Sequence, residues 1–206
     1  MRRGQFMSSQ TREQRLIRGK RLLNKLKHPE VPNMLWFFSD EKISTKTKKS
    51  IGEMTGVVSN EGHVMPPHFF RQGLRVNAAV YIEVLETVGK SWIDSVREDR
   101  PYIFQQDSAP SHKAMTTQDW MTENFYDHII PKLWSPSSPD LNPLDYYVWG
   151  VVERETNKHP HNNILSLKDA ITTTMIKMNK EHLIRACNRF RPRIESIIAA
   201  NGDFIE

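Results

Sequence analysis

The chain has 206 residues, a formal net charge of +5 and one cysteine, Cys187. That length suits one large domain with a buried core, and 38% hydrophobic with 26% charged residues is an ordinary water-soluble composition. A single cysteine excludes an internal disulfide framework and fits a reducing compartment, with Cys187 read as a small core residue. No secretory signal is visible, and no apolar run approaches the roughly 18 to 20 residues of a membrane span.

The charge is unevenly placed. Residues 1–28 hold nine Arg or Lys against one acid, Glu13, whereas the remainder holds 20 basic and 23 acidic side chains. A basic arm beside a mildly acidic body suggests contact with a polyanion, most simply nucleic acid, or else a solvated helix face. Within it, TREQRLIRGKRLLNKLKH opens with the capping pair Thr11 and Gln14 and reads as a basic helix over 11–27. Gly19 interrupts that helix and weakens its amphipathicity. Pro29 and Pro32 break it, so residues 1–33 read as a basic helix with a linker and 34–206 as the main domain.

From there the pattern predicts an α/β domain, ordered strand, strand, strand, helix, strand, helix, strand, helix. LWFFSDEK reads as a strand, and TGVVSNEGHVMPP as a hairpin turning through Asn60, Glu61 and Gly62. Residues 77–97 place Val80, Val84, Val88, Trp92 and Val96 four apart, the stripe of a helix face. YIFQQDS is an apolar run ending on polar residues, MTTQDWMTENF a helix, and HIIPKLWSP a further strand. Asn142 followed by Pro143 starts a helix expected to run to Glu155, since Asn caps and Pro fits the first helical position. HPHNN ends it, and two C-terminal helices follow, stopped at Gly202.

Three acids stand out. Asp40 and Asp107 each sit at the polar end of an apolar strand, and Asp145 lies in the first turn of a helix. Adjacent strands can deliver such residues to a common edge. Three carboxylates converging there could hold two Mg²⁺ or Mn²⁺ about 4 Å apart, an arrangement suited to in-line phosphoryl displacement. Each acid also has a plain role: Asp40 as a solvated strand end, Asp107 as acceptor in the turn Ser108–Pro110, and Asp145 as a complement to the helix dipole. His159 and His161 lack the spacing of a zinc site and read as loop residues.

FSDEK, FQQDSAPSH and SPDLNPLDYYVWG together resemble the signature blocks of mariner-type transposases (the Tc-one/mariner superfamily). SPDLNP favours that family over a cellular nuclease acting on RNA–DNA hybrids. The resemblance implies an RNase H-like fold, a mixed sheet flanked by helices, with Asp40, Asp107 and Asp145 as an all-aspartate metal triad. It implies Gln106, His112 and Asn142 as supports, and makes Glu41 and Asp140 flanking decoys. It also implies DNA as partner, DNA cleavage and 3′-hydroxyl strand transfer as activity, a homodimer as assembly, and the nucleus as compartment.

On this reading Arg12, Arg15, Arg18, Lys20, Arg21, Lys25 and Lys27 hold the DNA phosphate backbone. The chain is expected to lack the helix-turn-helix modules that read element ends. Only 66 residues separate Asp40 from Asp107, so the excursion between the first two strands is expected to be shortened to a hairpin turning at 46–50. Its second strand, with Gly52 and Gly56, should pack weakly and hold Asp40 loosely, with a weakened dimer and impaired activity. The other class is a non-catalytic DNA-binding or interaction protein descended from a transposable element.

Overall fold

The computed structural model describes residues 7–44 and 52–206. Helix α1 (Ser9–Lys27) leads into β1 (Leu35–Ser44), β2 (Gly52–Ser59) and β3 (His68–Phe69). A helical rod follows, made of α2 (Ala78–Val84), a π-helical segment (Leu85–Lys90) and α3 (Ser91–Val96). Then come β4 (Tyr102–Gln105), α4 (Pro110–Lys113), α5 (Met115–Asn124) and β5 (Asp127–His128). A second π-helical segment (Leu144–Val148) runs into α6 (Trp149–Thr156), before α7 (Ile164–Ile176), α8 (Lys180–Asn188) and α9 (Phe190–Ala199).

The five strands form one mixed sheet in the order β3-β2-β1-β4-β5. β1 runs antiparallel to β2, β2 antiparallel to β3, and β1–β4 and β4–β5 are parallel. Strand alternation splits the core in two. Phe38, Ile103, Met54 and Val58 face a layer that includes Leu22 of α1 and Trp149, Ile171, Leu183 and Ile194 of the C-terminal helices. Leu35, Phe37, Tyr102 and Phe104 face Tyr81, Leu85, Ile93 and Met121 on the other side. This is the RNase H-like arrangement expected from the sequence.

Several elements differ in extent. The cap of α1 is Ser8, whose Oγ accepts from Thr11 N at 3.1 Å, so the helix starts earlier than the Thr11–Gln14 pair suggests. Gly19 does not interrupt it: it is buried, and a Cβ there would lie 3.5 Å from Ile198 Cγ1. A Cβ would sit there in ordinary contact, and buried Leu22 on the same helix brings α1 into the core of the domain it precedes. The hairpin turn at 60–62 forms, with Gly62 at φ 80° and Ser59 N bonded to His63 O at 2.9 Å. Pro66 and Pro67 interrupt its return, leaving a single bridge, Val58↔Val64, and the short strand His68–Phe69 paired with β2. The strand expected in HIIPKLWSP shrinks to Asp127–His128, ahead of Pro131. The C-terminal stretch holds three helices, because Asn163 and Asn179 each cap a new one and Arg189 divides the last pair. Beyond α9, Gly202 at φ 84° bonds its N–H to Ile197 O at 2.8 Å, closing the helix.

β1 and β2 pair over eight positions, Phe37↔Ser59 through Ser44↔Gly52. The connection placed at 46–50 lies outside the described residues. The second strand is not weakly packed as expected. Gly56, opposite Asp40, is buried, and a Cβ there would meet Met175 Cε and Trp149 Cη2 at 3.1 Å. The missing side chain is room for Trp149, whose indole lies across the strand and reaches Asp40. Gly56→Val should therefore cost about 1–3 kcal/mol by overpacking and push Trp149 off Asp40. Denaturant unfolding with Trp fluorescence checks this; an unchanged midpoint and spectrum would contradict it.

Candidate metal centre

The parallel pairing of β1 and β4 ends at Phe38↔Gln105. Two residues past that last pair stand Asp40, still within β1 and paired with Gly56 of β2, and Asp107, just beyond the end of β4. Both acids therefore lie where the β1–β4 pairing ends. Asp145 reaches that edge from the π-helical segment Leu144–Val148, where a plain α-helical turn was expected. Asn142 ties the third carrier to the first: its Nδ2 donates to Ser39 O at 2.9 Å, and its Oδ1 accepts from Leu144 N at 3.1 Å. Asn142 thus caps the helix and fixes it to the residue beside Asp40.

Asp40 is 8% exposed and accepts from Trp149 Nε1 at 2.6 Å. The loose attachment expected for it is not what the geometry holds. Burial first, and then the charges of Asp145 and Glu41, raise its pKa well above the usual carboxylate range. Asp145 is pushed up to about 6, chiefly by burial, against the opposing pull of Lys42 and with the charges of Asp107 and Asp140 adding to the rise. Lys42 is itself paired with Glu153 at 3.3 Å. Like charges sharing a partly dry edge hold protons more tightly, and the same field favours a divalent cation.

Asp107 behaves differently. Burial would raise its pKa, but the hydrogen bond and charge of His112 lower it. Its Oδ1 accepts from Ala109 N at 2.9 Å, the turn role read from sequence, and also lies 2.7 Å from His112 Nδ1. The His112 ring is 2% exposed, and its Nε2 lies 3.2 Å from Glu41 Oε2. Burial would lower the imidazole pKa, but Glu41 and Asp107 together push it up to about 10. Glu41, set aside as a decoy, is therefore part of the constellation. Its position was readable: consecutive strand residues face opposite sides, so Asp40 turns toward Trp149 and Glu41 toward His112.

Glu41, Asp107 and His112 offer ligand atoms within 4.8 Å of one another. Hard oxygen donors in Asp40, Asp107 and Asp145 are the chemistry that Mg²⁺ and Mn²⁺ prefer. Among the described residues, every buried side-chain polar atom without a hydrogen-bond partner lies in the QQDS stretch: both amide atoms of Gln105, Gln106 Nε2 and Ser108 Oγ. Unpaired polar atoms concentrated around one carboxylate suit a site that takes polar ligands. Gln106 accepts through Oε1 from Tyr81 Oη. Asp107 also borders two clefts, one of about 610 Å³ with Asp40, Glu41, Arg75 and His112, the other of about 280 Å³ with Ser135, Asn142 and Asp145.

The basic helix is less free than its composition suggests. Arg15 is fully buried, bonded to Asp140 at 2.6 Å and 3.1 Å and to Gly202 O at 2.8 Å, so no phosphate can reach it. Arg18 donates to the carbonyls of Pro131 and Trp134, both at 2.9 Å, and Lys25 pairs with Asp127 at 2.7 Å. Arg12, Lys20, Arg21 and Lys27 remain exposed. Asp140, the other decoy, anchors the SPDLNP loop: besides Arg15 it accepts from Ile205 N at 3.1 Å.

No family model matches the chain. It is 35% identical over 75 residues to the Transposable element Tcb2 transposase of Caenorhabditis briggsae, covering 36% of this chain and 26% of that one. It is 24% identical over 144 residues to the Mariner Mos1 transposase of Drosophila mauritiana, covering 66% of this chain and 40% of the relative. Its homologues are Tc1/mariner transposases. The matched stretches span less than half of these relatives. Among solved structures, the Mos1 transposase catalytic domain with raltegravir and Mn superposes with a TM-score of 0.85 at 22% identity, over 98% of this chain and 100% of that one. A Mos1 paired-end complex with left transposon end gives 0.79 at 20% identity, over 98% and 65%. The chain has the fold of the Mos1 catalytic domain.

The raised acids carry a pH signature. A folded-state pKa of about 6 for Asp145, against 3.8 for a free aspartate, means the folded chain holds the proton more tightly. Metal-free stability should therefore fall as pH rises through that window. Asp145→Asn should gain on the order of 1 kcal/mol at pH 7, roughly 2–4 °C in melting temperature, and nothing near pH 4. An equal gain at both pH values, measured by thermal melts in chelator, would contradict this.

Proposed function

We propose that this chain carries the catalytic chemistry of a DNA transposase: metal-dependent cleavage of a DNA phosphodiester and attack of the resulting 3′-hydroxyl on target DNA. The observation that carries the reading is the shared edge, where Asp40 and Asp107 stand two residues past the last β1–β4 pair and Asp145 lies within their field. Mos1 catalytic domains have been solved with Mn and with Mg, which supports divalent metal use here. A pair of such ions bound by Asp40, Asp107 and Asp145 would supply Lewis acidity at the attacking and leaving oxygens.

The chain's own residues do the positioning. Trp149 orients the Asp40 carboxyl, His112 and Ala109 N–H hold Asp107, and Asn142 fixes the helix start that carries Asp145. Clefts on both sides of Asp107 leave room for a strand to pass across it. Exposed Arg12, Lys20, Arg21 and Lys27 would attract the phosphate backbone without reading sequence. Mos1 has been solved as paired-end complexes, which supports a DNA-bound assembly. We propose a homodimer as the simplest such assembly and the nucleus as its compartment. The non-catalytic DNA-binding alternative draws on the same arm, but Arg15, Arg18 and Lys25 are already engaged within the fold.

Purified chain with Mg²⁺ or Mn²⁺ should convert supercoiled plasmid to open circles. An Asp107→Ala, Asp145→Ala double variant should fall to background. A wild-type sample no better than the double variant in either metal would overturn the catalytic reading.

A further inference from the structure

We propose that Glu41 is a positioning residue for Asp107, acting through the His112 imidazole to fix the Oδ1 end of that carboxylate and leave Oδ2 for the cation. The proposal rests on reading Asp107 as a metal ligand. Its basis is a part-buried hydrogen-bonded chain crossing from β1 to the segment after β4. Thr55 Oγ1 donates to Glu41 Oε1 at 3.2 Å, His112 Nε2 lies 3.2 Å from Glu41 Oε2, and His112 Nδ1 lies 2.7 Å from Asp107 Oδ1. Both hydrogen bonds made by Asp107 among the described residues fall on Oδ1.

The ring is held on other sides too. Tyr81 packs on it with centroids 4.2 Å apart, and Gln118 Nε2 donates to the His112 carbonyl at 2.8 Å. Glu41 is the member that can set the direction in which the imidazole points. With a carboxylate at each nitrogen the ring carries both protons, and the acceptor on Nε2 fixes its direction so that Nδ1–H stays aimed at Asp107, the way an outer-shell carboxylate orients a ligand.

The same three residues could instead be taken for an ion site of their own. The geometry argues against that. Each ring nitrogen already faces a different carboxylate, and the two point to opposite sides of the ring, so the imidazole links Glu41 to Asp107 and does not converge with both on one point. One strand step thus serves two acids. Asp40 faces the edge directly, and its neighbour Glu41, on the opposite face, holds Asp107 from behind.

The test compares two substitutions of similar size that differ in the acceptor: Glu41→Gln and Glu41→Leu. Mn²⁺ affinity is read by calorimetric titration, with metal-free melting temperatures measured alongside. Glu41→Gln keeps an acceptor for His112 and should bind Mn²⁺ close to wild type. Glu41→Leu should bind about tenfold more weakly, the scale of lost outer-shell partners. If Glu41→Leu does not fold, Glu41→Ala carries the same expectation, since it too removes the acceptor and adds no apolar bulk at the cleft wall. Equal affinities for the Gln and apolar variants would overturn the proposal. Asp107→Ala separates the levels: Mn²⁺ binding unchanged in that variant would overturn the metal reading beneath the proposal, and the proposal with it.

Discussion

Three carboxylates on one edge of a sheet repel one another, and the surrounding structure is arranged to hold them there. Burial adds to the repulsion by removing solvent screening, which is why Asp40 and Asp145 both hold their protons more tightly than free aspartates. The scaffold answers with fixed, short-range contacts. Trp149 bonds Asp40, Asn142 joins the Asp145 helix to Ser39, and Lys42 lowers the charge felt by Asp145. The cost of gathering the acids in metal-free form is the counterpart of affinity for a cation placed among them.

A second set of contacts works from further out. The SPDLNP loop is held from below by Asp140, which takes both arms of the buried Arg15 guanidinium and the N–H of Ile205. Buried ion pairs of this kind contribute little net stability against an apolar replacement, but removing one partner is costly because it strands the other charge. Here the pair unites the first helix, the C-terminal tail and the loop that leads to Asp145. The glycines serve the same end. Gly56 lets Trp149 reach Asp40, and Gly202 crosses α1 so closely that a Cβ would run into Arg12 O.

The sheet was legible because β1, β2 and β4 carry clear apolar runs, and the three acids were legible because each ends or begins such a run. What was not legible depended on tertiary contact. Arg15 is indistinguishable by pattern from Arg12 or Lys20, yet it is the one wholly enclosed. Gly56 looks like a weak strand residue until an indole occupies its space. The wide turns at 85–90 and 144–148 leave no periodicity distinct from an α-helix over so few residues. Glu41 was set aside for lying next to the motif acid, although alternation along a strand sends neighbours to opposite faces and so into different roles.

The central claim is that Asp40, Asp107 and Asp145 form the divalent-metal centre, with Glu41 and His112 behind it. A crystal of this chain soaked in Mn²⁺ and measured at the manganese edge tests it most directly. The account expects anomalous peaks within coordination distance of Asp40, Asp107 and Asp145. A peak held instead by Glu41 and His112, or none at the strand edge under saturating Mn²⁺, would contradict it.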